Sequence, residues 1–275
     1  MRFSMFVVTG LAAMTTVPAA AQDGRTWTGG YAGISAGLDF QGRDSNAPIE
    51  FDTNLDGTFG DTVRTTANAD AFSRGFCGGR ALGPNPTGCQ RDSDRLGYAG
   101  HVGYDVQFGN IVVGAVGEFG KSNIVDSSSA YSTTPARYAF VRSMDWNAQG
   151  RLRAGYAIGD TLPYVTGGAA LARVDRGFET SNAANSFTPD RDKRNAWGYT
   201  AGGGVEQRVS ENFSIGVLYT YTSVNDRSPT VRVGQGTAPL TTNPFLLVNP
   251  NGTDMRRSDD RFDWHSARVR ASFRF

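Results

Sequence analysis

The protein has 275 residues, of which 39% are hydrophobic, and a mean hydropathy of −0.36. These values exclude a bundle of transmembrane helices, because no apolar run approaches the roughly 20 residues that a spanning helix needs. The formal charge is +1, with 27 basic and 26 acidic residues, so the charge balance indicates no nucleic-acid partner.

Residues 1–21 have the pattern of a secretory signal peptide. Arg2 supplies the positive start, residues 3–14 form an apolar core, and Ala19 to Ala21 form a small-residue cleavage site. The alternative, a buried N-terminal helix, accounts for this pattern less well. We therefore predict export through the Sec pathway and cleavage after Ala21. This leaves a short segment, 22–28, before a single folded domain at 29–275.

Segments with an apolar residue at every second position recur along the mature chain and predict β-strands. In the clearest of them, residues 96–108, the apolar residues from Leu96 to Phe108 alternate with small and polar ones, and Gly109-Asn110 then forms a two-residue hairpin turn. The last strand has alternating arginines and apolar residues and ends on Phe275. Eight strands are predicted, at 30–40, 96–108, 111–119, 144–156, 162–174, 196–207, around 215–221, and 262–275.

The connections between these strands alternate between long and short. Four are long and polar, at 41–94, 121–142, 175–195 and 225–261, and the others are short turns. Short periplasmic turns and long external loops are typical of bacterial outer-membrane barrels. The sequence therefore predicts an all-β fold, an eight-stranded antiparallel transmembrane β-barrel. A soluble lipocalin-like barrel is the alternative, but it would place its charges outside and rarely needs four long loops at one end.

The first long loop, 41–94, contains both cysteines, Cys77 and Cys89. In an exported protein such a pair predicts a local disulfide, which would stabilise so short a loop by about 3 kcal/mol. A metal site is the alternative, but the two histidines, His101 and His265, are far away in the sequence.

The same loop contains Asp52, Asn54 and Asp56 followed by Gly57, which matches the opening of a calcium-binding loop. The bidentate glutamate expected at the twelfth position is Val63, so Asp61 would have to replace it with a different geometry. The alternative is a solvated loop rich in turns. A structural calcium ion here is the one cofactor that the sequence suggests.

Polar residues of the strands are predicted to face the barrel interior. Eight strands enclose a space that side chains just fill, and buried charges must pair, so we predict a plugged interior with salt bridges. The predicted charge network contains both signs: Asp105, Glu118, Arg151, Arg153, Glu206, Arg268 and Arg270. His101 and Asp145 are also placed on this inward face. A narrow ion pathway lined by the arginines is the alternative.

Catalysis is not expected. His101 lies about 13 Å from Asp105 at the rise of a strand, which is too far for a catalytic pair. His265 is next to Ser266, but adjacent strand residues point to opposite faces. Acyl-chain hydrolases of the outer membrane with Ser/His sites have this barrel shape, so a lipid A-modifying enzyme stays open as a less favoured reading.

Several short stretches together resemble the small outer-membrane β-barrel family of porin-like and surface-antigen proteins, which is typical of alpha-proteobacteria. They are residues 29–33, 151–156, 162–170 and 204–206, together with the signal peptide and Phe275. Two features depart from the family pattern: Leu218 stands inward where many relatives carry an acid, and the first loop is unusually long. The end of the chain, with Phe273 and Phe275, resembles the signal that the outer-membrane assembly machinery recognises, although Arg270 stands where glycine is usual.

The residues and the resemblance predict a structural protein of the outer membrane, without enzymatic activity. Its loops would contact host, lipopolysaccharide or neighbouring cells, and its barrel would contribute to envelope integrity. The predicted partners are outer-membrane lipid, lipopolysaccharide and, during biogenesis, the assembly machinery. A low-conductance porin-like channel is the alternative function.

Overall fold

The computed structural model describes residues 26–41, 48–86, 88–90, 92, 95–190 and 194–275. The predicted signal peptide and residues 22–25 lie outside this part of the chain. The described residues contain no helix long and apolar enough to span a membrane. They form sixteen strands: β1 Gly29–Phe40, β2 Ile49–Asp52, β3 Phe76–Gly78, β4 Arg80–Ala81, β5 Cys89–Gln90, β6 Arg95–Phe108, β7 Ile111–Ser122, β8 Val125–Ser132, β9 Ala136–Tyr156, β10 Thr161–Thr180, β11 Asn185–Pro189, β12 Arg194–Arg208, β13 Phe213–Asn225, β14 Val231–Gln235, β15 Thr253–Arg257 and β16 Arg261–Arg274.

The long strands form one large antiparallel sheet. The pairs run in the order β1, β6, β7, β9, β10, β12, β13 and β16. The last strand, β16, also pairs with β1, and Tyr31 lies opposite Arg274. β1 therefore has a pairing strand on both sides. β8 pairs with β9 and continues the sheet at one end, where it pairs with β3.

The two faces of the large sheet are reversed relative to those of a water-soluble protein. Apolar side chains such as Ile34 and Leu152, each 71% exposed, cover the outer face. Polar and charged side chains fill the interior, where Asp39 and Asp105 are completely buried. This distribution is typical of strands that face lipid on one side and a polar interior on the other.

A β-bulge at Asp145 changes which residues of β9 point inward. The register shifts where Arg173 pairs with Trp146 and the next residue, Val174, pairs with Met144. Met144 is therefore buried, and Asp145 is exposed and lies 3.9 Å from Lys121 Nζ. The prediction that Asp145 faces inward is wrong because a bulge adds one residue to one strand only.

Two of the predicted long loops are largely strands. Residues 121–142 contain β8 and the first part of β9, and residues 175–195 contain the end of β10 and β11. Towards the cap from Trp146, the outer face of β9 carries polar residues such as Arg137 and Ser143 among apolar ones, so the alternation that marks a lipid-facing strand is lost although the strand continues.

A second sheet joins segments from three of the predicted loops, in the order β11-β14-β15-β2. β2 pairs with β15 from a different loop, although Phe51 also bridges Asp61 in its own loop, and β14 pairs with β15 within one loop. We call this sheet, together with β3, β4, β5, β8 and the adjoining ends of β9 and β10, the cap. Its apolar core is large: Ile49, Phe51, Val63, Ala71, Phe72, Ala130, Ala136, Tyr138, Phe140, Val231, Val233, Phe245, Leu246 and Met255.

Cys77 and Cys89 are disulfide-bonded within the cap. The bond joins β3 to β5, and buried Cys77 packs with Ala81 and Tyr131. The first long loop is thus fastened to β8, which pairs with β3.

Candidate functional site

The interior of the large sheet contains two connected groups of ion pairs. In the group nearer the cap, Arg268 lies between two carboxylates, 3.0 Å from Asp39 and 3.3 Å from Glu118. Glu118 also accepts a hydrogen bond of 2.8 Å from Arg151. All four side chains are almost completely buried, so each charge is neutralised by its neighbours and not by water.

The second group lies nearer the end of the chain. Arg153 donates to both oxygens of Asp105 and, over 2.9 Å, to Glu206. Arg274 bridges the same two carboxylates, at 3.0 and 3.2 Å. The Arg153 guanidinium also lies between two rings, 4.8 Å from the centre of Tyr31 and 5.0 Å from that of Tyr164.

Glycine residues provide the space for two of these carboxylates. A Cβ atom on Gly97 would lie 1.9 Å from Asp39 Oδ2, and one on Gly114 would lie 2.1 Å from Asp105 Oδ1. Any larger residue at either position would displace a carboxylate from its arginine. Part of the high glycine content thus serves the interior network.

The seven residues of the predicted charge network all face the interior and are buried. Six of them form ion pairs with one another or with Asp39 and Arg274, which the prediction did not include. Both omitted residues stand on the inward face of their strands, so the alternation alone was enough to find them. The seventh residue, Arg270, forms no ion pair among the described residues and donates a hydrogen bond of 3.1 Å to Tyr164 Oη.

A layer of apolar side chains lies across the interior between the ion pairs and the cap. It includes Phe262 and Trp264, which are fully buried, and Met144, which the bulge turns inward. The remaining members are Ile124, Ala170, Ala172, Val174, Ala196 and Val224. The interior therefore contains the ion pairs in its part farther from the cap and packed apolar side chains in its part nearer the cap.

A second charge cluster, which the sequence reading missed, lies between this apolar layer and the cap core. Arg142 is its centre: its Nε lies 2.9 Å from Asp126, its Nη2 2.9 Å from Asp259, and its Nη1 3.6 Å from Asp226. Arg257 lies 3.0 Å from Asp126, and Arg176 pairs with Asp226. The cluster joins β8, β9, β10 and β15 to the residues beside β13 and β16.

Two carboxyl groups near this cluster have shifted pKa values. Burial opposes ionisation of Asp126, but Arg142 and Arg257 outweigh it and hold the pKa of its carboxyl below the ordinary value. Burial raises the pKa of Asp92 to about 6, although Asp92 accepts a hydrogen bond from the Ser127 amide. The surroundings of Asp92 thus disfavour its charged form, whereas those of Asp126 favour the charged form.

The predicted calcium ligands have a geometry that does not fit a cation. Both oxygens of Asp52 accept hydrogen bonds from backbone amides of Leu55 to Gly57, over 2.7 to 3.2 Å. Asp61 accepts from the amide and hydroxyl of Thr53, and Asp56 accepts from Asn54 and from the Thr58 amide. Amide groups already supply the positive partners that an ion would supply. Among the described residues there is no group of three or more acidic, histidine or cysteine side chains able to hold a metal.

Among the described residues, neither histidine is hydrogen-bonded to both a hydroxyl and an acid: His101 stands opposite Glu118 on the neighbouring strand, but its Nδ1 has no hydrogen-bond partner. His101 Nε2 is 2.9 Å from Ser272 Oγ inside the sheet, and both side chains are buried. His265 Nδ1 is 2.6 Å from Tyr219 Oη on the outer face, where its ring stacks on Phe40. Ser266 points to the interior, on the face opposite to His265. These contacts account for both histidines as structural residues.

Comparison with known proteins places this architecture in a family. Residues 9–275 match the family described as outer membrane protein beta-barrel domain. The chain is 29% identical over 234 residues to the 31 kDa outer-membrane immunogenic protein of Brucella melitensis, covering 82% of this chain and 85% of that protein. It is 33% identical over 138 residues to the 22 kDa outer membrane protein of Rhizobium leguminosarum, covering 50% and 57% of the two chains.

Among solved structures, OprG from Pseudomonas aeruginosa aligns over 90% of this chain and 96% of its own, with 13% identity and a TM-score of 0.47. The family match spans nearly the whole chain, with the inverted distribution of polar and apolar residues found in the structure. The protein belongs to the outer-membrane β-barrel family and is a protein of the outer membrane.

Proposed function

We propose that β1, β6, β7, β9, β10, β12, β13 and β16 form an eight-stranded transmembrane barrel with short periplasmic turns, and that the cap lies outside the cell. Two sets of outward aromatic residues support the placement of these strands across the membrane. Phe108, Tyr156 and Phe273 lie near the short turns, and Phe119, Trp146 and Trp197 lie towards the cap. Aromatic side chains favour the two membrane interfaces, so these sets mark the limits of the hydrocarbon core.

The barrel then serves as a rigid support for a folded extracellular surface. The observation that carries this proposal is the filled interior: two groups of ion pairs and an apolar layer occupy it from end to end. Above it, the cap has its own aromatic core, so its outer surface is presented in a fixed shape. Such a surface suits adhesion or host contact, and such a barrel suits envelope integrity.

The chemistry of the outer face defines the remaining partners. Exposed apolar and aromatic residues would contact outer-membrane lipid and lipopolysaccharide. Since neither histidine is arranged for nucleophilic catalysis, we propose no enzymatic role. The proposed route is Sec export with removal of residues 1–21, followed by insertion through the outer-membrane assembly machinery.

The filled interior leads to a prediction about conductance. Purified protein in planar bilayers should give no current steps above those of empty detergent controls, because ions would have to displace both buried ion pairs and packed hydrocarbon. A porin reconstituted in the same lipid provides the positive control. Reproducible single-channel steps that depend on protein concentration would support the porin-like alternative and overturn the structural role.

The last residue is the subject of a second prediction. The Phe275 ring is 77% exposed on the outer face, and its amide donates to Gly30 O over 3.0 Å. Deleting Phe275 should sharply reduce the amount of heat-modifiable barrel in the outer membrane, because it removes the proposed assembly signal that includes Phe273. Phe275→Ala keeps the backbone bond and should have much the same effect.

Ile34→Ala is the matched control, since Ile34 is an equally lipid-exposed side chain on the neighbouring strand. The control should assemble normally. Normal assembly of the deletion and of Phe275→Ala, measured by semi-native electrophoresis of isolated outer membranes, would show that the terminal aromatic residue is not a signal.

A further inference from the structure

The two groups of interior ion pairs balance in charge, but one buried arginine lies beside them without a carboxylate of its own. Among the described residues, the pairs join Arg151, Arg153, Arg268 and Arg274 to Asp39, Asp105, Glu118 and Glu206, and Arg270 is the additional arginine. The excess is one positive charge. It resides on Arg270, because each of the other four arginines lies within 4.0 Å of a carboxylate.

Arg270 is only 3% exposed, so water outside the barrel does not solvate its charge. Its Nη1 donates to Tyr164 Oη, but its Nε and Nη2 have no hydrogen-bond partner. An isolated guanidinium in a low-dielectric interior is costly unless a negative charge compensates it. Among the described residues no carboxylate lies within ion-pair distance of Arg270, and Glu118, which acts on it from farther away, is already paired with Arg151 and Arg268.

Other unpartnered polar atoms lie around the same level of the interior. Ser35 pairs directly with Arg270 in the β1–β16 register, and its Oγ has no partner. His101 contacts Ser272, the next inward residue of β16, and its Nδ1 has no partner. Tyr31, whose ring centre is 6.2 Å from that of His101, has an unpartnered hydroxyl.

Every one of these groups is able to donate a hydrogen bond. A water molecule would satisfy some of the donors but would leave the positive charge uncompensated, whereas an anion would do both. The interior is crowded, which restricts the anion to a small one. Because the excess is a single charge, one monovalent ion suffices.

We propose that Arg270, with Ser35, His101 and Tyr31, holds a small inorganic monovalent anion of the halide class inside the barrel. The anion is a structural component that neutralises the interior. Its position below the apolar layer means that it exchanges with the periplasmic side or enters during folding.

Two measurements on the full-length mature protein test the proposal. Crystals grown in sodium bromide should show an anomalous bromide peak beside the Arg270 guanidinium. In detergent, the Tm should rise saturably when sodium bromide or chloride replaces sodium gluconate at constant ionic strength, because an anion that binds the folded state alone stabilises it by mass action.

Variants separate a specific site from general salt effects. Arg270→Gln should lose both the bromide peak and the halide-dependent part of the Tm. Ser35→Asp places a carboxylate opposite Arg270 and should also abolish the halide dependence, while retaining a Tm at least as high as that of the wild type in gluconate. A wild-type structure with no bromide peak, or equal halide dependence in the wild type and Ser35→Asp, would overturn the proposal.

Discussion

Replacement of Arg142 by methionine is expected to open the cap while leaving the barrel folded. Arg142 is fully buried and contacts Asp126, Asp226 and Asp259, which come from three separate parts of the chain. Methionine retains much of the volume but leaves buried carboxylates without their central cation. Breaking a buried pair on one side costs about 3–5 kcal/mol, which is comparable to the stability of a small domain.

Limited proteolysis of whole cells would measure this effect. The variant should be cleaved within the cap under conditions in which the wild type is intact, and the protected barrel fragment should remain heat-modifiable. Glu179→Gln is the control, because Glu179 is 46% exposed in its 3.4 Å pair with Arg137 and should contribute about 1 kcal/mol or less. Equal resistance of the wild type and the Arg142 variant would show that the cap core alone holds the cap in place.

The same cluster gives the cap a defined pH dependence. The pKa of Asp126 is lowered in the folded protein. The stabilisation that the Asp126 carboxylate gives to the folded state is therefore present above the ordinary pKa of 3.8 and is lost as the pH falls through the lower pKa of the folded state. The pH dependence that Asp92 contributes has the opposite sign. Its pKa is raised to about 6, so the folded state binds more protons than the unfolded state, and stability decreases as pH rises from 3.8 to about 6. The cap of the wild type should thus be most stable in mildly acidic conditions.

Replacement of Arg153 by methionine is expected to destabilise the barrel itself. Arg153 pairs with Asp105 and Glu206 and lies against the rings of Tyr31 and Tyr164, so it joins strands on opposite sides of the interior. With Arg153 absent, Arg274 would be the single arginine left beside the two carboxylates. The expected loss is about 3–5 kcal/mol for one buried partner removed.

Urea unfolding of the protein in lipid vesicles, monitored by heat-modifiability, would measure this decrease in the free energy of unfolding. Adding Asp105→Asn to Arg153→Met should recover part of the stability, because it removes one uncompensated negative charge. Lys121→Met serves as the control: Lys121 and Asp145 form a 3.9 Å pair with both side chains about half exposed, worth about 1 kcal/mol or less. If the Arg153 and Lys121 variants were equally stable, the interior network would not be what holds the barrel together.

The membrane-spanning strands were predictable because their two solvents differ so strongly. In β6 and β16, lipid on one side and a polar interior on the other require strict alternation, and the sequence shows it. The same alternation identified Glu118, Arg151 and Glu206 as interior residues. It also contained Asp39 and Arg274, which face inward in the pattern but lie near the ends of their strands.

The cap was not predictable in the same way. In β8 nearly every residue is buried regardless of its polarity, so Ser127 to Ser129 show no alternation. Several strands of the cap pair with segments distant in sequence, as β2 does with β15. The cluster around Arg142 depends on these long-range contacts, and the bulge at Asp145 depends on the pairing of β9 with β10.

The four-stranded sheet of the cap has a consequence for immune recognition. Its strands β2, β11, β14 and β15 come from three loops, and neighbouring residues on its surface, such as Glu50 and Arg256, are far apart in the chain. An antibody that binds across this sheet therefore reads a discontinuous epitope. No linear peptide of the chain contains all the residues of such an epitope.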